Sequence, residues 1–222
     1  MSENKSTKIY NKVRDRTTQE LLVRKYEFLK ICKILDDLKI EYFLQTGILL
    51  GAVRNQDFIP WDWDIEISVF SEKFVPHIDD VVNSLKKNDF KIKNIVRKTK
   101  DIKIDFIGKY PENVTGYTIF GWNYSKINNH YWRKEFIVPS KFLNKFSQIS
   151  FFGREFNCPY NTEEYLTHAY GNWKQPLRTS DKKVYFSKNF KVNYLYLYNS
   201  FKNLILKTLY NLWCKLTNKN FL

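Results

Sequence analysis

Cysteine, glycine and proline are all scarce in this chain of 222 residues, which contains three, seven and six of them. The cysteines, Cys32, Cys158 and Cys214, are isolated, and no histidine lies near them at zinc-binding spacing. A disulfide framework and a zinc finger are therefore excluded. No repeat or low-complexity stretch is present either, so the sequence does not predict a linker or a repeat array.

A long apolar run is also missing. No segment approaches the roughly 20 apolar residues that span a bilayer, and the first residues are polar rather than the apolar stretch of a signal peptide. We therefore expect a cytoplasmic protein, with any membrane contact limited to the surface of the cytoplasmic membrane.

Acidic residues are outnumbered: 23 Asp and Glu stand against 37 Lys and Arg, a formal net charge of +14. Such a surface attracts polyanions, nucleotides and acidic lipid headgroups at long range. The lysines are scattered rather than gathered into a basic arm, which makes nucleic acid an unlikely partner.

What the chain does contain is 43% hydrophobic residues, 18% of all residues being aromatic, which is ample for one packed domain. Apolar residues recur at helical spacing over 18–39 and 74–87, and at strand spacing over 40–44, 90–97 and 102–107. These patterns predict an α/β fold with helices lying on a sheet. The region 110–160 is aromatic and reads as short strands and loops, and a helix is expected from Thr162, with Thr162 as its cap.

The segment 191–222 differs from the rest. It combines large apolar residues with five lysines, as an interfacial helix does. We predict a catalytic domain over 1–190 and an amphipathic basic helical tail over 191–222. The tail has three possible contacts: a membrane surface, the catalytic domain, or a second copy of the chain in a homo-oligomer.

Acidic and apolar residues alternate between Ile59 and Phe70. A period of two predicts a strand that places Asp62, Asp64 and Glu66 on one face. Three like charges on one face repel each other, so a fold retains them where solvent or a cation neutralises them. A solvated edge strand is one interpretation. A divalent cation is the other, and carboxylate oxygens favour Mg²⁺ or Mn²⁺ over zinc.

Two glycines, Gly47 and Gly51, precede the acidic strand, in a segment that reads as a tight turn opening a helix. Such a turn can hold phosphate, although the two glycines can also serve helix packing alone. Arg54 follows, and its guanidinium suits either a bidentate phosphate contact or a surface ion pair.

The residues Tyr42 to Arg54, followed by Phe58 to Ile67, contain TGILLGAVR and IPWDWDIEI. They resemble the signature of the LicD/fukutin family, which includes phosphocholine and ribitol-phosphate transferases. Ile104-Asp105-Phe106 is similar to the family's later Asp-bearing strand. Pro159, Tyr165-Leu166 and the run from Tyr170 to Pro176 are similar to its C-terminal element. The resemblance covers roughly residues 20–180.

The resemblance implies a nucleotidyltransferase-type fold, with a mixed sheet flanked by helices. It also implies transfer of a phospho-alcohol from a CDP-activated donor to a glycan or lipid-linked glycan, with release of CMP. It implies metal ligation by Asp64, Glu66 and Asp105, with Asp105 also the candidate general base. Asp62 is then a ligand for a second ion or an orienting group. Gly47, Gly51 and Arg54 are the expected donor-binding residues.

Two positions depart from the family pattern. Ile48 stands where a hydroxyl residue is usual, which leaves Thr46 to contact phosphate, and Glu66 replaces an Asp. Two alternative functions remain at this point: an enzyme that transfers the nucleotide itself, and a non-catalytic module that binds polyanions or membranes. For Tyr170, Gly171 and Trp173 the sequence favours a structural role, as a helix end, a glycine cap and aromatic packing.

Overall fold

The computed structural model describes residues 14–98, 100–110, 115–179, 181–187, 190 and 205–212. The helices within these ranges alternate with strands along the first half of the chain. They are α1 Thr18–Asp37, α2 Thr46–Asn55, α3 Ser71–Phe74, α4 Ile78–Lys87, α5 Thr162–Tyr170, α6 Lys182–Tyr185 and α7 205–212, with 3₁₀ turns at Val75–His77 and Ser140–Phe142.

Seven strands form one mixed sheet. They are β1 Tyr42–Leu44, β2 Asp64–Phe70, β3 Lys91–Lys98, β4 Asp101–Ile107, β5 Gly116–Ser125, β6 His130–Arg133 and β7 Phe136–Pro139. The order is β1-β2-β5-β4-β3, with β6 and β7 continuing from the end of β5; β2 and β5 run parallel and the other pairs antiparallel. A separate hairpin joins β8 Phe146–Phe151 to β9 Arg154–Pro159. The prediction of a mixed sheet flanked by helices is confirmed.

The two faces of the sheet have different roles. On one face, alternate residues of the central strands are buried, such as Ile65, Ile104 and Ile119. Helix α1 covers this face, and its Glu27 accepts a hydrogen bond of 2.9 Å from the Tyr117 hydroxyl of β5. On the other face, the register places Glu66 beside Thr118, and Thr118 beside Asp105. That second face carries the polar residues and is the floor of the site described below.

Several sequence-based boundaries were wrong. The region after residue 110 does consist of strands and loops, as predicted, but β5 is a long strand of ten residues. Its pattern was not recognised because β5 lies between β2 and β4 and its buried residues show no simple alternation. Strand β2 begins at Asp64, so Asp62 lies in the preceding turn and not in the strand's alternating row. Helix α5 is capped at Asn161, whose side chain makes no capping bond; the Thr162 hydroxyl instead donates to the Pro159 carbonyl.

The first turn of α1 is held by a capping box. The Thr17 hydroxyl accepts from the Glu20 N–H, and the Glu20 carboxylate accepts from the Thr17 N–H. The same carboxylate pairs with Arg14 at 2.5 Å. The hydrogen bond from Arg14 lowers the pKa of Glu20 to about 2, although burial opposes that shift.

We therefore expect Glu20→Gln to destabilise the protein at neutral pH but not near pH 2. The folded-state pKa lies below the usual glutamate value of 4.5. The stabilisation is thus complete above pH 4.5 and is lost as the pH falls toward 2. Since Arg14 is one-third exposed, we expect about 1–2 kcal/mol. Urea unfolding of both proteins at pH 7, 4 and 2.5 measures this; a difference that does not change with pH would contradict the assignment to the ion pair.

Most of the predicted tail lies outside the described residues. Within it, 205–212 forms the helix α7, in which every side chain is exposed, including Leu206 and Leu209 at 53% and 57%. Across the described parts of the chain, no helix combines the length and the apolar character needed to cross a bilayer.

Candidate functional site

A pocket of about 400 Å³ opens on the polar face of the sheet. Its floor is built from β2 and β5, and α2, the segment after α5 and the residues around α6 form its walls. One end is acidic and the rest is largely aromatic. The residues that line the pocket include Thr46, Gly47, Arg54, Asp62, Asp64, Glu66, Phe120, Trp122, Arg133 and Tyr170.

The acidic end contains Asp62, Asp64 and Glu66, as the sequence predicts for a shared site. Asp64 and Glu66 are half-buried residues two positions apart on β2, so both side chains point to the pocket face. The Thr46 hydroxyl donates to Glu66 Oε2 at 3.2 Å, and it thereby ties the start of α2 to the acidic strand. Thr46 has a φ of +54°, a left-handed conformation that places it at this corner.

Asp62 reaches the same pocket from the turn before β2. Its Oδ1 accepts from the Trp63 N–H at 3.0 Å. Burial raises the pKa of Asp62 to about 6; the Arg24 guanidinium opposes this rise, and the charge of Glu66 adds to it. Burial is the larger cause and the neighbouring carboxylate a smaller one, so this pocket favours the uncharged form of Asp62.

Arg24 of α1 fixes the backbone beneath Asp62. It is fully buried, donates from Nη2 to the Asp62 carbonyl at 2.8 Å, and donates from Nε to the Thr115 hydroxyl at 2.9 Å. Sequence reasoning missed this residue, because one Arg in an amphipathic helix looks like a residue of its polar face. Only its burial identifies it.

Gly47 and Gly51 lie in α2 but meet different neighbours. A Cβ on Gly47 would collide with the carboxylate of Asp62, whereas a Cβ on Gly51 would lie 2.5 Å from the Asp57 carbonyl oxygen and 3.2 Å from the Ile59 nitrogen. Gly47 therefore leaves room for a functional side chain. Gly51 allows α2 to pack against the backbone of the turn that follows it, which is the packing role weighed for it above.

These contacts predict that alanine at position 51 lowers stability, whereas alanine at position 47 mainly affects activity. Gly51→Ala should cost about 1–3 kcal/mol in the free energy of unfolding, because backbone atoms must move. Gly47→Ala should change stability by less than about 1 kcal/mol, since alanine favours helix and the carboxylate can rotate away. It should still weaken any activity that needs Asp62 in place. Gly116→Ala is the matched control, because its Cβ would meet nothing within 4 Å. Equal destabilisation by Ala at 47 and 51 would contradict this assignment.

Arg54 lies at the C-terminal end of α2 and lines the pocket. Its Nε donates to Asn55 at 3.1 Å, while its buried Nη2 has no hydrogen-bond partner among the described residues. Burial lowers its pKa from the usual arginine value. The sequence offered an ion pair as the alternative role, and the salt bridges of the described residues do not include this side chain.

Asp105 is not among the residues that line the pocket. It lies on the same sheet face but two strands from Glu66, with Thr118 between them. Its carboxylate accepts from Lys103 at 2.5 Å and from Asn94 and Thr118 at 3.0 Å. Burial raises its pKa, but these hydrogen bonds outweigh burial and hold the pKa below the usual value. Its roles as ligand and base stay predictions.

The acidic end can accommodate a cation in one particular way. Among the described residues, no three His, Cys, Asp or Glu side chains are arranged to hold a metal ion by themselves. Mg²⁺ does not require that arrangement, since it commonly binds through one or two carboxylates together with substrate phosphates and water. Asp64 and Glu66 fit this mode, because both are half-buried carboxylates on the pocket face of β2.

Comparison with known proteins identifies the family. Residues 39–161 match the family model described as LicD/FKTN/FKRP, nucleotidyltransferase domain. The matched segment is more than half of the chain and contains the glycine corner, all three pocket carboxylates and Asp105. The chain belongs to the LicD/FKTN/FKRP family.

Individual members of this family are also similar to the chain. Mouse ribitol-5-phosphate transferase FKTN is 27% identical over 181 residues, which are 76% of this chain and 38% of FKTN. Mouse ribitol 5-phosphate transferase FKRP is 41% identical over 39 residues, 18% of this chain and 8% of FKRP. The lipopolysaccharide cholinephosphotransferase LicD of Haemophilus influenzae is 42% identical over 41 residues, 18% of this chain and 16% of LicD. This chain thus spans less than two-fifths of the length of each of these relatives.

For this LicD/FKTN/FKRP chain, the C-terminal element does more than the sequence indicated. Gly171 has a φ of +67° and ends α5, so the predicted helix end and glycine cap are confirmed. Tyr170 and Trp173 also line the pocket, however, and are not packing residues only. Burial raises the pKa of the Tyr170 hydroxyl well above its usual value, and the charge of Asp62 adds to that rise. The match of the run from Tyr170 to Pro176 to the family's C-terminal element was the feature of the sequence that could have indicated a place for Tyr170 and Trp173 in the site.

Proposed function

We propose that this protein transfers a phospho-alcohol, such as phosphocholine, ribitol phosphate or glycerol phosphate, from a CDP-activated donor to a glycan hydroxyl and releases CMP. One observation carries the proposal: Asp62, Asp64 and Glu66 line a single pocket beside a glycine-containing corner in a member of this family. The names of the relatives supply the reaction class, because they are ribitol-phosphate and cholinephosphate transferases.

In this proposal, Asp64 and Glu66 would hold a divalent cation together with the donor diphosphate. Mg²⁺ or Mn²⁺ bound there would neutralise charge on the phosphate oxygens. Thr46 keeps the Glu66 carboxylate oriented through its hydrogen bond. Arg54 offers its unpartnered Nη2 to a phosphate oxygen, which is the bidentate or charge-assisted contact that guanidinium makes well.

The acceptor hydroxyl must lose its proton as it attacks phosphorus. We assign this step to Asp62 on geometry, because it lines the pocket, faces Gly47 and is held in place by Arg24 and the Trp63 N–H. Asp105 then acts as a positioning residue that holds Thr118 beside Glu66. The sequence prediction that Asp105 itself takes the proton stays a prediction, and the transfer rates of the Asp62→Asn and Asp105→Asn variants distinguish the two carboxylates.

The test is to incubate the purified protein with Mg²⁺, a glycan mixture and a panel of CDP-alcohols, and to measure nucleotide products. Release of CMP is the expected result. Release of diphosphate with the nucleotide left on the acceptor would instead establish the nucleotide transferase. If no CDP-alcohol or nucleoside triphosphate is consumed under any condition, the protein is a binding module and the proposal fails.

The tail supplies a further prediction about partners. We expect residues 191–222 to bind anionic membranes reversibly, because the described helix 205–212 exposes Leu206, Leu209 and Leu212 together with Lys207. Each large apolar side chain contributes about 1.5–3 kcal/mol when buried, and a lysine near an anionic surface about 1 more.

Sedimentation with phosphatidylserine-containing vesicles, comparing the full chain with one ending at residue 190, measures this contact at low and high salt. The full chain should sediment at low salt only, and the shortened chain in neither condition. Equal sedimentation of the full and the shortened chain would show that the tail does not bind the membrane. A change in oligomeric state on shortening would assign the tail to a second copy of the chain.

A further inference from the structure

Two buried hydrogen-bond donors at the aromatic end of the pocket have no partner among the described residues. They are Nε of Arg133 on β6 and the indole Nε1 of Trp122 on β5. Arg133 is 8% exposed, Trp122 is 2% exposed, and both line the pocket. A buried donor without an acceptor costs roughly 1–3 kcal/mol, so this pair is poised for a ligand that supplies acceptor oxygens.

The guanidinium of Arg133 is held rigidly. Its Cζ lies 3.7 Å from the centroid of the Phe120 ring, the neighbour of Trp122 on the same face of β5. Stacking on a ring fixes the plane of the guanidinium and leaves its edge free to donate. Trp122 and Arg133 are next to the paired residues Asn123 and Trp132, so they lie side by side on the adjacent strands β5 and β6.

The local charges favour an anion over a neutral acceptor such as a nucleobase carbonyl. Asp101 faces Arg133 through Oδ1, which lies 3.9 Å from Nη2 and has no hydrogen-bond partner among the described residues; its Oδ2 forms a salt bridge with Lys134 at 3.0 Å. Lys103, on the neighbouring strand, is paired with Asp105. One carboxylate thus serves both Arg133 and Lys134, which leaves this group with one positive charge in excess. A buried cation without a full partner is stabilised most by a negative ligand.

This group is separated from the acidic end of the pocket. Thr118 pairs with Glu66 in the register of β2 and β5, and Trp122 lies four residues farther along β5. At about 3.3 Å per residue this is roughly 13 Å along the sheet, about the length of two or three sugar rings. Glu66 and Trp122 line the same pocket, so a substrate held at the acidic end can place a second group at Trp122.

We propose that Arg133 and Trp122 form an anion-binding subsite that takes a carboxylate or phosphate carried by the acceptor glycan. The assignment to the acceptor rests on the proposed function, which places the donor diphosphate at Asp64 and Glu66. The anion binding itself does not depend on it. The subsite selects acceptors that bear an acidic substituent, and the net charge of +14 assists their approach.

The test uses protein free of donor and divalent cation, so it is independent of CMP release. Glucuronate, glucose 6-phosphate and neutral glucose are titrated while the indole N–H signal of Trp122 is followed by NMR and affinity by calorimetry. Trp122→Phe identifies the signal. We expect both acids to shift it and glucose not to; comparing the two acids shows whether the natural anion is a carboxylate or a phosphate.

Three variants sharpen the result. Arg133→Gln should weaken binding of the acids by about 10- to 100-fold, and Trp122→Phe, which keeps the ring but loses the donor, by about 2- to 10-fold. Arg133→Lys keeps the charge without the planar group and should give an intermediate loss, which serves if Arg133→Gln fails to fold. Arg154→Gln is the control. Arg154 forms a salt bridge of 2.8 Å with Asp36 and does not line this pocket.

Equal binding of glucose, or unchanged binding of the acids by a folded Arg133 variant, would overturn the subsite. If CMP shifts the Trp122 signal and the acids do not, the subsite belongs to the donor nucleotide and the acceptor assignment is wrong. If the acids bind but no CDP-alcohol is consumed, the subsite stands and the proposed function fails.

Discussion

Asp64→Asn and Glu66→Gln should each reduce CMP release by about a thousandfold or more, while the protein remains folded. Each change removes one negative charge from a half-buried position on β2 and keeps the size of the side chain. If these carboxylates hold the cation that neutralises the donor phosphates, losing either one removes several kcal/mol of transition-state stabilisation. Stability should not fall, because like charges that repel each other have been reduced.

The measurement is a CMP-release assay with Mg²⁺, together with calorimetric titration of Mg²⁺ in the presence of the donor. Asp79→Asn is the matched control, since Asp79 is exposed and pairs with Arg97 outside the pocket. The control should keep normal activity. Near-normal activity of Asp64→Asn or Glu66→Gln in Mg²⁺ would show that the metal assignment is wrong.

Asp62→Asn should slow transfer by about 10²–10⁴-fold, the usual contribution of a general base, with donor affinity largely unchanged. Asparagine keeps an oxygen for the Trp63 N–H, so the turn before β2 should retain its conformation. Asp105→Asn should slow transfer by less than about 10-fold, because that carboxylate is outside the pocket and acts through Thr118.

Single-turnover rates and donor titrations of both variants make this comparison. The opposite ranking, with Asp105→Asn the slower enzyme and donor affinity intact, would restore the sequence prediction that Asp105 is the base. Loss of donor affinity in Asp105→Asn would instead make it a metal ligand. An Asp62 variant that binds donor poorly would assign Asp62 to the cation.

The sequence by itself determined the family and the acidic end of the site. Glycine, arginine and alternating acids at fixed spacing are local features, because neighbouring positions on one strand share a face whatever the rest of the fold does. That logic correctly grouped Asp64 and Glu66, and placed Gly47 and Arg54 beside them. Periodicity also predicted helices lying on a sheet, since it indicates which segments are helices and which are strands; the mixed sheet was implied by the family resemblance.

Only the tertiary structure decided which distant residues complete the site. Arg24 lies in a helix whose pattern gives no sign that it reaches the Asp62 carbonyl, 38 residues along the chain. Asp105 resembled a site residue, but the order β2-β5-β4 inserts a strand between it and Glu66. Arg133, Trp122 and Tyr170 join the pocket through contacts between strands and helices far apart in sequence. Such contacts depend on strand order and register, which no local pattern of residues encodes.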